Sequence, residues 1–260
     1  MVQKKSMPYF NYSDQRIHYR IEGNGPLLLI LPGNTASSKC HCDDLAYFSQ
    51  TFSAAAIDYL GVGMSDRLTQ FGRDWFRSCA DQAAALIRHI GKPAVLIGTS
   101  GGAVVALHTA ARHTDLVTAV VADSFTPRFT REMLEKNVLQ DRSVRSEGQI
   151  GFWRNAHGED WERVVKADTA MLTSMVKEGG NWLENTTQEV RCPVLITTSL
   201  EDQMLKHPLE YSLEMLNALK DGRLFISPHG EHPLMWGKPD IFRQAVQGFL
   251  AFYSNHNSTE

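Results

Sequence analysis

Residues 95–102 read Val-Leu-Ile-Gly-Thr-Ser-Gly-Gly and continue directly into Ala103-Val104-Val105-Ala106-Leu107. An apolar run that stops at these five small residues and resumes with no polar linker predicts a buried strand, a sharp turn and a helix. A turn this tight puts its central residue in a strained backbone conformation, and small neighbours at Gly98 and Gly102 remove the clashes. Ser100 then stands proud of the sheet edge at the N-terminus of the next helix. There the backbone N–H of Gly101 faces any negative charge that develops. Gly-x-Ser-x-Gly alone is a modest signal, and the strand before and helix after give it weight.

The rest of the chain repeats the same alternation. Period-two patterning over 17–21 predicts an edge strand. The unbroken apolar run Leu27-Leu28-Leu29-Ile30-Leu31 predicts a strand buried on both faces. Further strands are expected over 52–58, 95–98, 117–122, 194–198 and 224–226. Phe76, Cys79, Ala83, Leu86, Ile87 and Ile90 share one face of a helix over 73–90, which Gly91 stops. Helices are also expected over 103–112, 209–219 and 241–252. Such alternation implies an α/β chain with a mostly parallel sheet and helices on both faces.

The rhythm breaks between Phe125 and Arg191. This stretch carries Phe129, Met133, Leu134, Phe152, Trp153, Trp161, Met171, Leu172, Met175 and Trp182 but no clear buried strand. It predicts a helical cap or lid over 126–190, inserted into a core made of 1–125 and 191–260. For any one of these aromatics, packing within the insertion is the plainer role. Together they are dense enough to roof a cavity, with Phe125, Phe129, Trp153 and Met175 as candidate lining residues alongside Gly33 and Leu234. The insertion's charges are mixed and predict no substrate charge.

Composition narrows the partners. Apolar residues make up 43% of the 260, and the net charge is −3. With no basic run, this argues against nucleic acid or an anionic membrane as a partner. No apolar stretch reaches the roughly 18 residues of a membrane span. The basic start Met1-Val2-Gln3-Lys4-Lys5-Ser6 leads into Pro8-Tyr9-Phe10-Asn11 rather than an apolar segment, so no secretory signal is expected and the cytoplasm is the expected location. Cys40, Cys42, Cys79 and Cys192 then read as free thiols. Cys40-His41-Cys42-Asp43 is a poor chelate for tetrahedral zinc, so the thiols at 40 and 42 are expected on an ordinary loop, with no metal.

A serine nucleophile needs a base, and the base needs a group to fix its tautomer. Past the apolar run 193–198 come Ser199-Leu200-Glu201-Asp202, and past the next strand come Pro228-His229-Gly230-Glu231-His232-Pro233. Both loops leave C-terminal strand ends, the sheet edge at which Ser100 stands. Asp202 is the candidate acid, with Glu201 and Asp123 as rivals; His232 is the candidate base, with His229 as rival.

With these residues in place, the chain resembles the α/β-hydrolase family over nearly its whole length apart from the insertion. The family order of nucleophile, acid and histidine is matched by Ser100, Asp202 and His232. Asp58-Tyr59-Leu60-Gly61-Val62-Gly63-Met64-Ser65-Asp66 resembles the family's Asp-x-x-Gly-x-Gly-x-Ser loop, and 232–239 resembles its histidine loop. Leu31-Pro32-Gly33-Asn34 stands at the oxyanion-loop position, where Pro32 departs from the more usual His-Gly. Relatives that cleave carbon–halogen bonds or epoxides carry aspartate where Ser100 stands. The resemblance implies a doubly wound sheet of about eight strands and a serine hydrolase without metal or organic cofactor. It implies cleavage of an ester or lactone of a small, mostly apolar substrate, with the backbone N–H groups of Asn34 and Gly101 as oxyanion donors. The same triad serves carbon–carbon bond hydrolysis and cofactor-free halogenation, and a ligand-binding receptor on the same scaffold is the non-enzymatic alternative. A monomer or homodimer is expected.

Overall fold

The computed structural model describes residues 8–256. The stretch 1–6, read above as lacking a secretory signal, lies outside them. Eight strands form one sheet: β1 (Tyr9–Tyr12), β2 (Gln15–Glu22), β3 (Leu27–Leu31), β4 (Ser53–Ile57), β5 (Ala94–Thr99), β6 (Val117–Asp123), β7 (Val194–Ser199) and β8 (Gly222–Ser227). Their order across the sheet is β1-β2-β4-β3-β5-β6-β7-β8. β1 and β2 form an antiparallel hairpin, β2 runs antiparallel to β4, and every later pairing is parallel.

Strand period two splits the core in two. Leu27, Leu29 and Leu31 of β3 pack with the helices Trp75–Ile90 and Gly101–Arg112 on one face. Leu28 and Ile30 pack on the other face with Leu45 and Phe48 of the helix Cys42–Phe48 and with Phe242, Val246 and Phe249 of the helix Pro239–His256. Burial on both faces is what makes β3 read as an unbroken apolar run. Two elements differ from expectation. β1 is an additional edge strand. The thiol-bearing segment is ordered rather than a loop: Ser38–His41 is a 3₁₀ turn, and Cys42 opens the helix Cys42–Phe48. A short edge strand and a seven-residue helix carry too few turns of pattern to stand out in sequence.

Between β6 and β7 the described residues contain helices and no strand. A π-helical stretch, Leu134–Gln140, is flanked by the short helices Arg131–Met133 and Asp141–Val144. The helices Glu147–His157, Trp161–Lys177 and Thr186–Glu189 follow. Trp153 and Trp161 stack at 5.3 Å in a small core with Val165. Among the described residues, no helix is long and apolar enough to cross a membrane.

Candidate active site

Ser100 sits between β5 and the helix Gly101–Arg112 with φ 53° and ψ −124°, a left-handed conformation that costs a non-glycine residue free energy. The surroundings impose it. The Ser100 N–H donates to the Asp123 carbonyl at 2.8 Å, and its own carbonyl accepts from Ala103 N at 2.9 Å. The turn closes this tightly only because a Cβ on Gly98 would run into the Gly102 carbonyl oxygen, and one on Gly102 into that of Leu31.

The oxyanion-position loop lies against the serine. A Cβ on Gly33 would stand 3.1 Å from that of Ser100 and 2.8 Å from the Thr99 carbonyl oxygen. Among the described residues, neither the Asn34 nor the Gly101 backbone N–H has a hydrogen-bond acceptor. Asn34 lines the same cavity as Ser100, while Gly101 lines a separate hollow of about 20 Å³ together with Gly33 and Asn34.

His232 reaches this cavity from the loop after β8. Its Nδ1 lies 2.8 Å from Asp202 Oδ2 and 3.1 Å from Oδ1. An ionised carboxylate only accepts, so Nδ1 carries the hydrogen and the Nε2 lone pair is left for other work. The Asp202 side chain is fully buried and also accepts from Met204 N at 3.0 Å and Leu205 N at 3.2 Å. Gln203 Oε1 holds the His232 backbone N–H at 3.0 Å. Ser100 and His232 face one cavity without a direct hydrogen bond in this structure. Contacts of this kind tighten when substrate is bound.

The rivals are placed elsewhere. Glu201 and His229 pair with each other at the exposed surface. Asp123 is fully buried beneath the histidine loop, accepting from Met235 N at 3.1 Å and from the Thr197 hydroxyl at 2.7 Å. Beside it the Ser124 hydroxyl accepts from Leu234 N at 2.8 Å. Burial pushes the Asp123 carboxyl up to about 7.

The cavity has a volume of about 380 Å³. Of the candidate lining residues, Gly33, Phe129 and Trp153 border it, with Leu172, Trp182 and Trp236. Phe125 and Leu234 do not: both are buried in the main core. Met175 opens instead into a larger hollow of about 720 Å³, between the helices Trp75–Ile90 and Trp161–Lys177, that touches neither Ser100 nor His232. Sequence reasoning missed Arg142, Asn137 and Gln149, polar side chains at the cavity wall. No spacing rule marks them, because the folding of the insertion alone brings them there. Among the described residues, no cluster of His, Cys, Asp or Glu is arranged to hold a metal ion.

Comparison with known proteins supplies the family. The chain is 29% identical over 249 residues to serine hydrolase BPHL of Mus musculus, a match that covers 90% of this chain and 82% of that one. It is 36% identical over 120 residues to the 2-(acetamidomethylene)succinate hydrolase of Mesorhizobium japonicum, covering 46% of this chain and 42% of that protein, so less than half of that relative's length is matched. A crystal structure of E-2-(acetamidomethylene)succinate hydrolase superimposes with a TM-score of 0.75 at 22% identity, covering 94% of this chain and 98% of that one. Residues 28–245 match the model of the alpha/beta hydrolase family, the family to which this chain belongs as a hydrolytic enzyme.

Proposed function

We propose that this hydrolase is a serine enzyme acting on carboxylic esters or lactones whose acyl or ring portion is compact and mostly apolar. The observation that carries the reading is Ser100, held at φ 53° and sharing a cavity with a histidine whose other ring nitrogen is fixed by buried Asp202. In this mechanism the Ser100 oxygen attacks the substrate carbonyl carbon while His232 Nε2 takes the hydroxyl proton. The carbonyl π electrons move onto oxygen, where the N–H groups of Asn34 and Gly101 stabilise the charge. Asp202 stabilises the imidazolium. The intermediate collapses, the carbon–oxygen bond to the leaving group breaks, and His232 returns the proton to that oxygen. Water repeats the sequence on the acyl-enzyme, releasing acid and free Ser100.

The cavity volume lies near the lower end of ligand pockets, which run from about 300 to 1,000 Å³. Phe129, Val138, Phe152, Leu172, Trp182 and Trp236 give it a mainly apolar wall, which favours a short acyl chain or small ring over a long or multiply charged one. The test is a fluorophosphonate probe followed by peptide mapping, with a panel of nitrophenyl esters and lactones run on wild type and Ser100→Ala. Label confined to Ser100, and turnover abolished in Ser100→Ala, is the expected result. Label on another serine, or turnover surviving in Ser100→Ala, overturns it.

A further inference from the structure

The oxyanion-position loop is fastened from the helical insertion at three points. The Asn34 side-chain amide donates to Asp168 Oδ1 at 2.7 Å. Trp153 Nε1 donates to the Thr35 hydroxyl at 3.3 Å, and His157 Nε2 donates to the Thr35 carbonyl oxygen at 3.0 Å. The three partners come from two helices, Glu147–His157 and Trp161–Lys177, more than a hundred residues away in sequence.

Each fastening is itself fixed. Asp168 is buried and pairs through its second oxygen with Arg142 at 2.8 Å, while Arg142 bonds the Thr169 hydroxyl at 2.7 Å. His157 is buried and accepts from Gly63 N on Nδ1 at 3.1 Å, which leaves its hydrogen on Nε2, aimed at Thr35. Burial holds its pKa down to about 4, so it remains a neutral donor. Trp153 is locked against Trp161. A buried ion pair is weak evidence for stability, because desolvation offsets most of its attraction. What the Asp168–Arg142 pair does supply is an immobile, charged acceptor for Asn34.

Thr35 stands at φ 57°, a conformation that persists only where its surroundings enforce it. An oxyanion donor must sit within about 2.7–3.1 Å of the developing charge, so a loosened turn loses the transition state before it loses the substrate.

We infer that Asp168 and His157 are positioning residues that aim the Asn34 backbone N–H, making the insertion a working part of the oxyanion hole; its catalytic consequence rests on the serine-hydrolase reading above. Two measurements on the full chain test it. The first is hydrogen–deuterium exchange of the Ala36 backbone amide, which closes the turn by donating to the Gly33 carbonyl at 3.1 Å, in wild type, Asp168→Ala and Asp168→Asn. Exchange is expected to quicken about tenfold or more in Asp168→Ala, and less in Asp168→Asn, whose amide oxygen still accepts from Asn34. The second is turnover of the best ester from the panel. There kcat should fall roughly 10- to 100-fold in Asp168→Ala with KM within about twofold, and recover in part in Asp168→Asn. If Asp168→Ala does not fold, His157→Leu, which has no donor for the Thr35 carbonyl, carries the same two readouts.

Label on Ser100 with unchanged exchange at Ala36 overturns the link alone. Quickened exchange in a protein whose Ser100 resists the probe overturns the catalytic reading and leaves the mechanical link standing. A rise in KM at constant kcat makes Asp168 a determinant of substrate binding and overturns the positioning role.

Discussion

His229 and Glu201 bond to each other at the surface, Nδ1 to Oε1 at 2.8 Å, although each stands within three residues of a member of the candidate triad. Neighbours in sequence are thus sorted by the fold into an exposed pair and a part-buried one. Surface pairs of this kind contribute at most about 1 kcal/mol. Glu201→Gln and His229→Ala are therefore expected to retain kcat/KM within about twofold, whereas Asp202→Asn, which leaves His232 without its orienting carboxylate, should cost roughly 10³- to 10⁴-fold. Steady-state kinetics on one ester checks this, and a full loss in Glu201→Gln would reassign the acid.

Gly33 is where the oxyanion-position loop and the serine touch. Gly33→Ala places a Cβ 2.8 Å from the Thr99 carbonyl oxygen and 3.1 Å from the Ser100 Cβ, so the loop must move away. Loss of about 10²-fold in kcat is expected with the fold intact by circular dichroism. Wild-type kcat in a folded Gly33→Ala protein would show that this loop takes no part in the reaction.

Burial holds Asp123 protonated up to about pH 7 in the folded chain, against 3.8 for the ordinary carboxyl. Between those values the folded state binds more protons than the unfolded one, so this group's contribution to stability falls as pH rises from about 4 to about 7 and then levels off. Asp123→Asn cannot ionise and removes that slope. Urea unfolding of both proteins at about pH 4.5 and pH 8 measures it. Equal pH dependence in the two would mean that the Asp123 carboxyl is ionised throughout.

The cavity volume sets a limit on acyl length. Along an acetyl, butyryl, hexanoyl and octanoyl series, kcat/KM should first rise, by up to about 0.8 kcal/mol for each buried methylene, and then fall once about 380 Å³ is filled. A series that falls from acetyl upward would place the binding energy on the polar wall around Arg142 and Asn137 instead.

What could be read in advance follows from burial and chain distance. β3 and β5 were legible because central strands buried on both faces leave unbroken apolar runs, and Ser100 because Gly98 and Gly102 bracket it within five residues. β1 was not, since four edge residues carry little pattern. The cavity wall was legible only in outline. Leu172 and Met175 stand three residues apart on one helix, yet Leu172 faces the cavity of Ser100 and Met175 the larger hollow. Asp168 and Arg142 gave no signal, because their meaning depends on Asn34, more than a hundred residues away.

The left-handed backbone at Ser100 has one more consequence. A side chain at φ 53° is penalised by roughly 1–3 kcal/mol, and glycine there is not. Ser100→Gly should therefore raise the melting temperature by several degrees while abolishing turnover. On the serine-hydrolase reading, glycine at 100 would leave a sturdier, inert shell with its cavity intact, so the nucleophile is bought with stability.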